Sequence, residues 1–293
     1  MNNPGPFFSI IIPTYNHAHF IGRCIDSLLS QTYQNWEAII VNNFSEDNTI
    51  EVVEGYKDPR IRLVNNANGG IIAVSRNKGL AEAKGEWVCF LDSDDWWYSN
   101  KLENALPYLS DYDLIYHDLD IYTKTDTSQG VAKSRALIGD IAKDLIINGN
   151  GVINSSVILK KNIADLVGEI TTDRALIAVE DYDYWIRVAK KTSRFKYINK
   201  SFGGYWVGEN MSYSVKQIDR EKALLDKYMD ELTPSEQKSA ISRQQFNTSR
   251  LFHSLALYPQ AKESYLKSLR TNNLQRVLKS LMGYCMCIFK INK

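Results

Sequence analysis

Three carboxylates crowd one short segment that follows an apolar run. The segment Phe90-Leu-Asp-Ser-Asp-Asp-Trp places Asp92, Asp94 and Asp95 within four positions. Carboxylates this close repel one another unless a cation or hydrogen-bond donors neutralise them. Mg²⁺ and Mn²⁺ prefer oxygen ligands and commonly keep a substrate phosphate in their shell. The segment is therefore a candidate site for a divalent ion that bridges a diphosphate. The alternative is a solvated acidic turn whose aspartates cap the next helix.

A second acidic pair, Glu180-Asp181, stands at the start of a predicted helix, Tyr182 to Lys191. Carboxylates at the amino end of a helix are stabilised by the helix dipole, which is a sufficient structural reason for the pair. A carboxylate can also act as the general base that takes a proton from an attacking hydroxyl. The residues alone leave both explanations open.

The elements that must position these acids alternate along the first half of the chain. Short β-rich runs and helical patterns follow one another, which predicts β-α-β units and a mostly parallel sheet. The predicted strands are Phe7 to Ile12, Trp36 to Val41, Ile61 to Val64, Trp87 to Leu91 and Leu114 to Tyr116. Helices are predicted at Ile21 to Ser30 and Ile72 to Ala83 from the spacing of their apolar residues. Ligands bind beyond the carboxyl ends of such strands, where Asp92 to Asp95 lie.

The second half of the chain changes character. The polar, aperiodic segment Thr123 to Ser134 predicts a mobile surface loop. A strand is predicted at Val152 to Leu159 and another around Phe195 to Ile198. Beyond Ile218 strand patterns cease, and the predicted helices are Ser235 to Ser254, Ala261 to Leu269 and Leu274 to Ile288. We predict a catalytic domain over residues 1–215 and a helical region over residues 216–293.

The last predicted helix combines Lys and Arg residues with a dense apolar face. That composition is typical of a helix lying in a membrane interface. A terminal helix packed on the protein core has the same pattern, so both interpretations stay open.

Composition excludes some functions. The chain has 35 basic and 34 acidic residues, so it has no overall field to hold nucleic acid. The four cysteines lack metal-ligand spacing, and the first residues lack the pattern of a secretory signal. No segment approaches the ~20 apolar residues that span a bilayer. We therefore expect a cytoplasmic protein.

Five ordered sequence blocks together resemble the family 2 glycosyltransferases. They begin at Ser9-Ile-Ile-Ile-Pro-Thr-Tyr-Asn, Ser27-Leu-Leu-Ser-Gln-Thr-Tyr, Ala73-Val-Ser-Arg-Asn, Phe90-Leu-Asp-Ser-Asp-Asp and Glu180-Asp-Tyr-Asp-Tyr-Trp. They extend over roughly the first 210 residues, and five blocks in order are more specific than any one motif. The resemblance implies an A-type glycosyltransferase fold, a single α/β sandwich, here followed by a C-terminal helical extension.

The resemblance also implies roles for individual residues. Pro13, Thr14 and Tyr15 would form the pocket for the nucleotide base. Asp92 and Ser93 would bind the ribose or sugar of the donor, and Asp94 would bind the metal with support from Asp95. The guanidinium of Arg76 would reach the donor phosphate, although an exposed helix arginine is an equal alternative. Asp181 would be the general base, with Glu180 beside it.

Two departures from the family pattern bear on these roles. The family's second strand ends in Asp-Asp-Gly-Ser-x-Asp, whereas this chain has Asn42-Asn43-Phe44-Ser45-Glu46-Asp47. The oxygen of Asn43 could still accept one hydrogen bond from a uracil N–H, but the amide brings no charge and could turn its NH₂ outward instead. Near residue 204, many relatives carry an Arg and a His that contact the diphosphate or metal, where this chain has Tyr205 and Val207.

The expected function is that of an inverting hexosyltransferase with Mn²⁺ or Mg²⁺ as cofactor. Its donor would be a nucleotide-sugar, first a UDP-sugar, and its acceptor a glycan or lipid-linked glycan of a cell-surface polysaccharide. The alternative is a catalytically silent relative that binds a nucleotide-sugar or glycan as a scaffold, since Asn42, Asn43 and Val207 depart from the pattern. A dehydrogenase is a weaker alternative, because no G-x-G-x-x-G follows a strand.

Overall fold

The computed structural model describes residues 5–124, 127–208, 215–271 and 273–291. Within these residues one mixed sheet contains nine strands. The strands are β1 (Phe8–Thr14), β2 (Trp36–Asn42), β3 (Ile61–Asn65), β4 (Trp87–Phe90), β5 (Trp96–Trp97), β6 (Leu114–Tyr122), β7 (Gly130–Ala132), β8 (Ile158–Lys160) and β9 (Phe195–Trp206). The five strands predicted in the first half of the chain are all present, and the largest difference is in β6, which continues from the predicted end at Tyr116 to Tyr122.

The order of strands is β3-β2-β1-β4-β8-β6-β9-β5, and β7 pairs with β6. The first four are parallel, and β4 and β6 each pair antiparallel with β8. The carboxyl ends of β2, β1 and β4 consequently lie side by side at one edge of the sheet, which is the position predicted to bind a ligand.

Helices connect the strands and continue to the end of the described chain. They are α1 (Ala18–Leu29), α2 (Thr49–Gly55), α3 (Ile72–Glu82), α4 (Lys101–Ala105), α5 (Ile141–Asn148), α6 (Lys161–Val167), α7 (Glu180–Ala189), α8 (Lys216–Tyr228), α9 (Pro234–Ser254), α10 (Tyr258–Ser268) and α11 (Leu274–Ile288). The stripe of Ile21, Cys24, Ile25 and Leu28 on α1 is fully buried. This burial is the physical reason for its helical spacing.

Close approach of α3 to the sheet depends on a glycine. A Cβ on Gly79 would lie 2.4 Å from Cγ2 of Ile11 in β1, so a larger residue would displace the helix. The helix carries Arg76 one turn earlier on the same inner side, where it is buried. Gly79 thus sets the depth at which this guanidinium enters the sheet edge.

Three predicted segments differ from the structure. The strand predicted at Val152 to Leu159 is a 3₁₀ turn at Asn154–Ser156 followed by the short strand β8. The strand predicted at Phe195 to Ile198 runs twelve residues, to Trp206, because Gly203 and Gly204 let it pass against Trp96 and Trp97. Part of the predicted loop at Thr123 to Ser134 is β7, and residues 125 and 126 lie outside the described residues.

The chain forms two compact units. One consists of Met1–Ile138, Gly151–Thr172 and Glu180–Glu209, and contains the whole sheet. The other consists of Gly139–Asn150, Asp173–Val179 and Asn210–Lys293. The division into a catalytic domain at 1–215 and a helical region at 216–293 stays a prediction.

In the second unit, α9, α10 and α11 pack around Ala261, Tyr265 and Cys287. Helix α9 begins with a capping box in which Thr233 and Glu236 satisfy each other's backbone N–H groups. Gly283 allows α11 to contact the ring of Tyr265, since a Cβ there would lie 2.3 Å from it. No helix among the described residues has the length and apolar character to cross a membrane.

Candidate active site

The acidic turn lies directly after β4, at the edge formed by the carboxyl ends of the parallel strands. Leu91 still belongs to the sheet, because its N–H donates to the carbonyl of Ile11 in β1 at 3.1 Å. The chain then turns, and the N–H of Asp95 donates to the carbonyl of Asp92 at 2.9 Å. The turn gathers all three carboxylates before β5 begins.

Asp94 and Asp95 occupy different environments within this turn. Asp94 is partly exposed, and burial together with the Asp92 carboxylate raises its pKa to about 6. Asp95 is fully buried, and its Oδ1 accepts a hydrogen bond from the N–H of Trp206 at 2.9 Å. Its Oδ2 is buried and has no hydrogen-bond partner among the described residues. Burial, with Asp94 and Asp92 adding to it, raises the pKa of Asp95 well above its usual range.

This arrangement suits a divalent cation. The pKa values of Asp94 and Asp95 are raised, and Oδ2 of Asp95 is buried without a hydrogen-bond partner among the described residues. A cation beside the three carboxylates would offset their mutual repulsion. Among the described residues no set of three or more His, Cys, Asp or Glu side chains is arranged to hold a metal. A divalent ion here would have Asp94 as its protein ligand, with Asp95 beside it, and would need further oxygen ligands from a bound substrate.

A cation that sequence reasoning missed borders the same turn. Nη2 of Arg23 on α1 donates to the carbonyl of Asp94 at 2.8 Å. Its guanidinium carbon lies 3.7 Å from the ring centroid of Trp96, and its charge opposes the rise in the pKa of Asp94. Only the fold brings this helix position to the turn, so no local sequence pattern could have identified it.

Arg76 joins the acidic turn to the second acidic pair. Its Nη2 donates to Oδ1 of Asp92 at 2.8 Å, and its Nη1 donates to Oε1 of Glu180 at 2.7 Å. Arg76 and Glu180 are both buried, whereas Asp92 is partly exposed. Burial alone lowers the pKa of Arg76, but the carboxylates of Asp92, Glu180 and Asp181 outweigh it and raise the pKa, so the guanidinium stays charged. The interpretation of Arg76 as an exposed helix arginine is wrong.

The two acids at the start of α7 differ in their partners. Glu180 holds Arg76, while Oδ1 of Asp181 accepts from the N–H of Tyr182 at 2.7 Å. Burial, and next the charge of Glu180, raise the pKa of Asp181 to about 7, against the opposing effect of Arg76. An aspartate with a pKa near neutrality, at the same edge as the acidic turn, is suited to accept a proton.

The predicted base pocket lies at the ends of β1 and β2. Pro13 and Thr14 are buried as the last residues of β1, and only Tyr15 belongs to the following loop, where 47% of it is exposed. The N–H of Asn43 donates to the carbonyl of Thr14 at 3.0 Å. The structure thus brings these four predicted residues together.

The side chains of Asn42 and Asn43 have different hydrogen-bond partners. Asn42 is fully buried and bonds Asn65 and Ser45 through its side chain. Oδ1 of Asn43 accepts from the backbone N–H of Asn68 at 2.9 Å. This bond orients the amide by its oxygen, and the NH₂ of Asn43 adds donors to the side chain. Asn43 therefore offers a donor that a carboxylate at this position would lack.

Ser93 and His17 connect the two halves of the site. Nδ1 of His17, in the loop after β1, lies 2.7 Å from Oγ of Ser93. Burial of the ring, with His19 nearby, lowers the pKa of His17. His17 is not among the predicted site residues, although its position two residues after Tyr15 was a signal available in the sequence.

Tyr205 and Trp206 close the site from β9. Burial, followed by the charges of Asp95, Asp92, Asp94 and Asp181, raises the pKa of Tyr205. The phenol therefore stays protonated and lies in the field of the acidic turn. Val207 continues the strand pairing, since its N–H donates to the carbonyl of Tyr122 at 2.8 Å.

The architecture and site define a class of protein. The chain has the A-type glycosyltransferase fold. It superposes with TM-score 0.63 on the mannosyltransferase from Pyrobaculum calidifontis in complex with GDP-Man and Mn²⁺. The superposition covers 97% of this chain and 81% of the mannosyltransferase, at 18% sequence identity. The model of the Glycosyl transferase family 2 matches residues 9–179. The chain belongs to this family, which confirms the resemblance.

Two relatives illustrate the similarity in sequence. The amylovoran biosynthesis glycosyltransferase AmsB of Erwinia amylovora is 31% identical over 240 residues, which is 73% of this chain and 77% of AmsB. The UDP-Glc:alpha-D-GlcNAc-diphosphoundecaprenol beta-1,3-glucosyltransferase WfgD of Escherichia coli is 46% identical over 95 residues. That match covers 32% of this chain and 38% of WfgD, so it concerns only part of each protein.

Proposed function

We propose that the protein transfers a hexose, with inversion, from a UDP-sugar to a glycan or lipid-linked acceptor in the synthesis of a cell-surface polysaccharide. The observation that carries this proposal is the aspartate of near-neutral pKa, Asp181, linked through Glu180 and Arg76 to the carboxylates of the acidic turn. The two groups are what an inverting transfer needs: a base for the acceptor and an acidic cluster for a cation beside the leaving diphosphate.

Asp181 is the base in this mechanism. The acceptor hydroxyl oxygen attacks the anomeric carbon from the side opposite the diphosphate, and the bond between that carbon and the diphosphate oxygen breaks. The hydroxyl proton passes to Asp181, and the electron pair of the broken bond leaves with the diphosphate. Near pH 7 a carboxyl with a pKa of about 7 is available in both the ionised and the protonated form.

Arg76 and Glu180 act on Asp181 rather than on the acceptor. Both terminal nitrogens of Arg76 are held by carboxylates, so the guanidinium is fixed in place. Burial is the largest cause of the raised pKa of Asp181; Glu180 raises this pKa further, and Arg76 lowers it. Asp92, which shares Arg76, keeps part of its surface exposed to bind the donor.

Asp94 and Asp95 are proposed to hold Mn²⁺ or Mg²⁺. When bound, the ion would neutralise the charge that develops on the leaving diphosphate. The raised pKa of Asp94 and the unpartnered Oδ2 of Asp95 support this assignment. The Mn²⁺ in the structure of the Pyrobaculum mannosyltransferase is consistent with it.

The donor is proposed to lie across the ends of β2, β1 and β4. Pro13, Thr14, Tyr15 and Asn43 would contact the base, and Asp92 and Ser93 the ribose or sugar, because these residues follow one another along that edge. UDP is the proposed nucleotide because WfgD uses UDP-Glc.

A lipid-linked acceptor is supported by α11. Its residues Leu274, Leu278, Leu281 and Met282 lie on one helical face and are each 44–69% exposed. Of the two charged residues of this helix, Arg276 is buried and donates to the carbonyl of Ser239, whereas Lys279 is exposed. An exposed apolar face with a lysine on the same helix fits an anionic lipid surface, and WfgD acts on a diphosphoundecaprenol acceptor. We therefore propose that the protein works in the cytoplasm, in peripheral contact with the inner face of the plasma membrane.

The proposed function is tested first by calorimetric titration with UDP and UDP-sugars, each with and without Mn²⁺, and then by transfer assays. We expect Mn²⁺-dependent binding in the wild type. Asp181→Asn should bind the donor as the wild type does but lose transfer activity. The control Asp165→Asn, at an exposed residue of α6, should keep both donor binding and transfer activity. Unchanged turnover in Asp181→Asn would remove the base assignment. Donor binding without any transfer or hydrolysis would favour the silent scaffold.

A further inference from the structure

Two unpartnered aromatic side chains stand on neighbouring loops of the site. Tyr15 follows β1, and Phe44 follows β2, where 57% of it is exposed. Among the described residues neither ring packs against another aromatic ring, although most other aromatics around the site do. A large apolar side chain gains little stability from such exposure, so the fold alone gives no reason for a phenylalanine here.

Backbone contacts hold the two loops against each other. On one side of the pair, the N–H of Asn43 donates to the carbonyl of Thr14 at 3.0 Å. On the other side, the N–H of Asn16 donates to Oγ of Ser45 at 2.9 Å. Since these bonds flank positions 15 and 44, Tyr15 and Phe44 lie opposite each other across the paired loops.

The backbone of Phe44 is strained for a bulky residue. Its φ is 53°, in the left-handed region, which costs a non-glycine residue about 1 kcal/mol or more. The family pattern has glycine at this position, which would adopt the conformation without that cost. A strained, exposed phenylalanine therefore points to a contact that forms only when a ligand is present.

We propose that Phe44 stacks on the base of the donor nucleotide, with Tyr15 on the other side of the base. β1 pairs with both β2 and β4, so the loop of Phe44 and the acidic turn are two strand spacings apart, about 10 Å. That separation matches the span from a nucleobase to the diphosphate attached to its ribose. The inference rests on the proposed function, because it requires a nucleotide donor.

Stacking and hydrogen bonding would then divide the recognition of the base. An aromatic ring stacks on any base, since every base has a π-face. Asn43 adjoins Phe44, and its NH₂ is free of the bond to Asn68 that occupies its oxygen. Phe44 would supply affinity, and Asn43 would select among bases at their edge.

The test replaces Phe44 in two ways and measures UDP affinity by calorimetry in the presence of Mn²⁺. Phe44→Gly removes the ring and relieves the left-handed strain. We expect about tenfold weaker UDP binding, as for loss of one base-stacking contact, without a lower melting temperature. Phe44→Tyr retains a ring at the same strain and should restore affinity to within about twofold.

The outcomes separate this inference from the function on which it rests. If the wild type binds UDP and Phe44→Gly binds it equally well, the stacking role is overturned and the proposed function is untouched. Equal losses in Phe44→Gly and Phe44→Tyr would also overturn the stacking role, because the ring would then not be the determinant. A wild type that binds no nucleotide overturns both.

Discussion

Replacing Glu180 with glutamine should move the pH dependence of transfer to lower pH. The carboxyl of Asp181 has a pKa of about 7 because of its burial and the neighbouring charge of Glu180. As the base it must be ionised, so activity is lost as pH falls through its pKa. In the wild type we expect about half of the plateau value of kcat/KM near pH 7, and about a tenth at pH 6.

Glutamine keeps the hydrogen bond and removes the charge. Its amide oxygen can accept from Nη1 of Arg76, as Oε1 of Glu180 does at 2.7 Å. Burial of Asp181 stays and the repulsion ends, so its pKa falls. If the loss of one neighbouring charge lowers the pKa of Asp181 by about one, the ratio of kcat/KM at pH 6 to that at pH 8 rises from about 0.1 to about 0.5.

The assay is a pH profile of kcat/KM from pH 5.5 to 9 for the wild type and Glu180→Gln. Glu37→Gln is the matched control, since Glu37 is also buried but bonds Ser9 away from the carboxyl edge of the sheet. Its profile should coincide with that of the wild type. An unchanged midpoint in Glu180→Gln, or a wild type without a titration near pH 7, would refute the assignment of Asp181 and its coupling to Glu180.

Three further changes test other parts of the structure. Asp94→Ala should abolish Mn²⁺-dependent binding of UDP, and calorimetry that finds the same Mn²⁺ dependence would contradict the metal assignment. Asn43→Asp offers the base an acceptor in place of a donor, so the preference for UDP over CDP should rise about fivefold in competition binding. Burial lowers the pKa of Lys101 to about 7 from 10.5, and its Nζ has no hydrogen-bond partner in the described part of the chain. Lys101→Met should therefore stabilise the protein by roughly 2–4 kcal/mol at pH 7. The wild type should gain stability relative to this variant as pH rises toward 9, because the unfolded chain binds the extra proton; urea titrations at the two pH values would show an unchanged gap if Lys101 does not titrate in this range.

The strongest sequence signals were local ones. Strands β1, β2 and β4 were predicted because they are buried along their whole length and therefore appear as continuous apolar runs. Helix α1 was predicted because it buries one stripe at helical spacing. The acidic turn was predictable for the same reason, since Asp92 to Asp95 follow a buried strand directly. Glu180 and Asp181 were found as a pair at a helix start, but nothing local distinguishes the one that holds Arg76 from the one that stays available.

What the sequence could not provide were contacts between distant segments. The partners of Arg76 are 16 and 104 positions away, and the N–H that holds Asp95 comes from Trp206, 111 positions away. The prediction of a strand over Val152 to Leu159 was wrong for its first part, because Asn154 and the two serines after it form a 3₁₀ turn. This turn brings Nδ2 of Asn154 to 3.3 Å from Oδ1 of Asp92. Such contacts depend on the sheet order, which periodicity does not determine.

One guanidinium joins three segments that are far apart in the chain, and this constrains how the protein can be redesigned. Arg76 on α3 pairs with both Asp92 and Glu180, and each acid is compensated by the same cation. Loss of Arg76 leaves the buried carboxylate of Glu180 without its counter-charge, and loss of either acid leaves the buried guanidinium with one counter-charge in place of two. A chimera that takes its donor-binding loops from a relative should therefore take the residues at positions 76, 92 and 180 from the same parent. A chimera that combines these positions from two parents should have a less stable site.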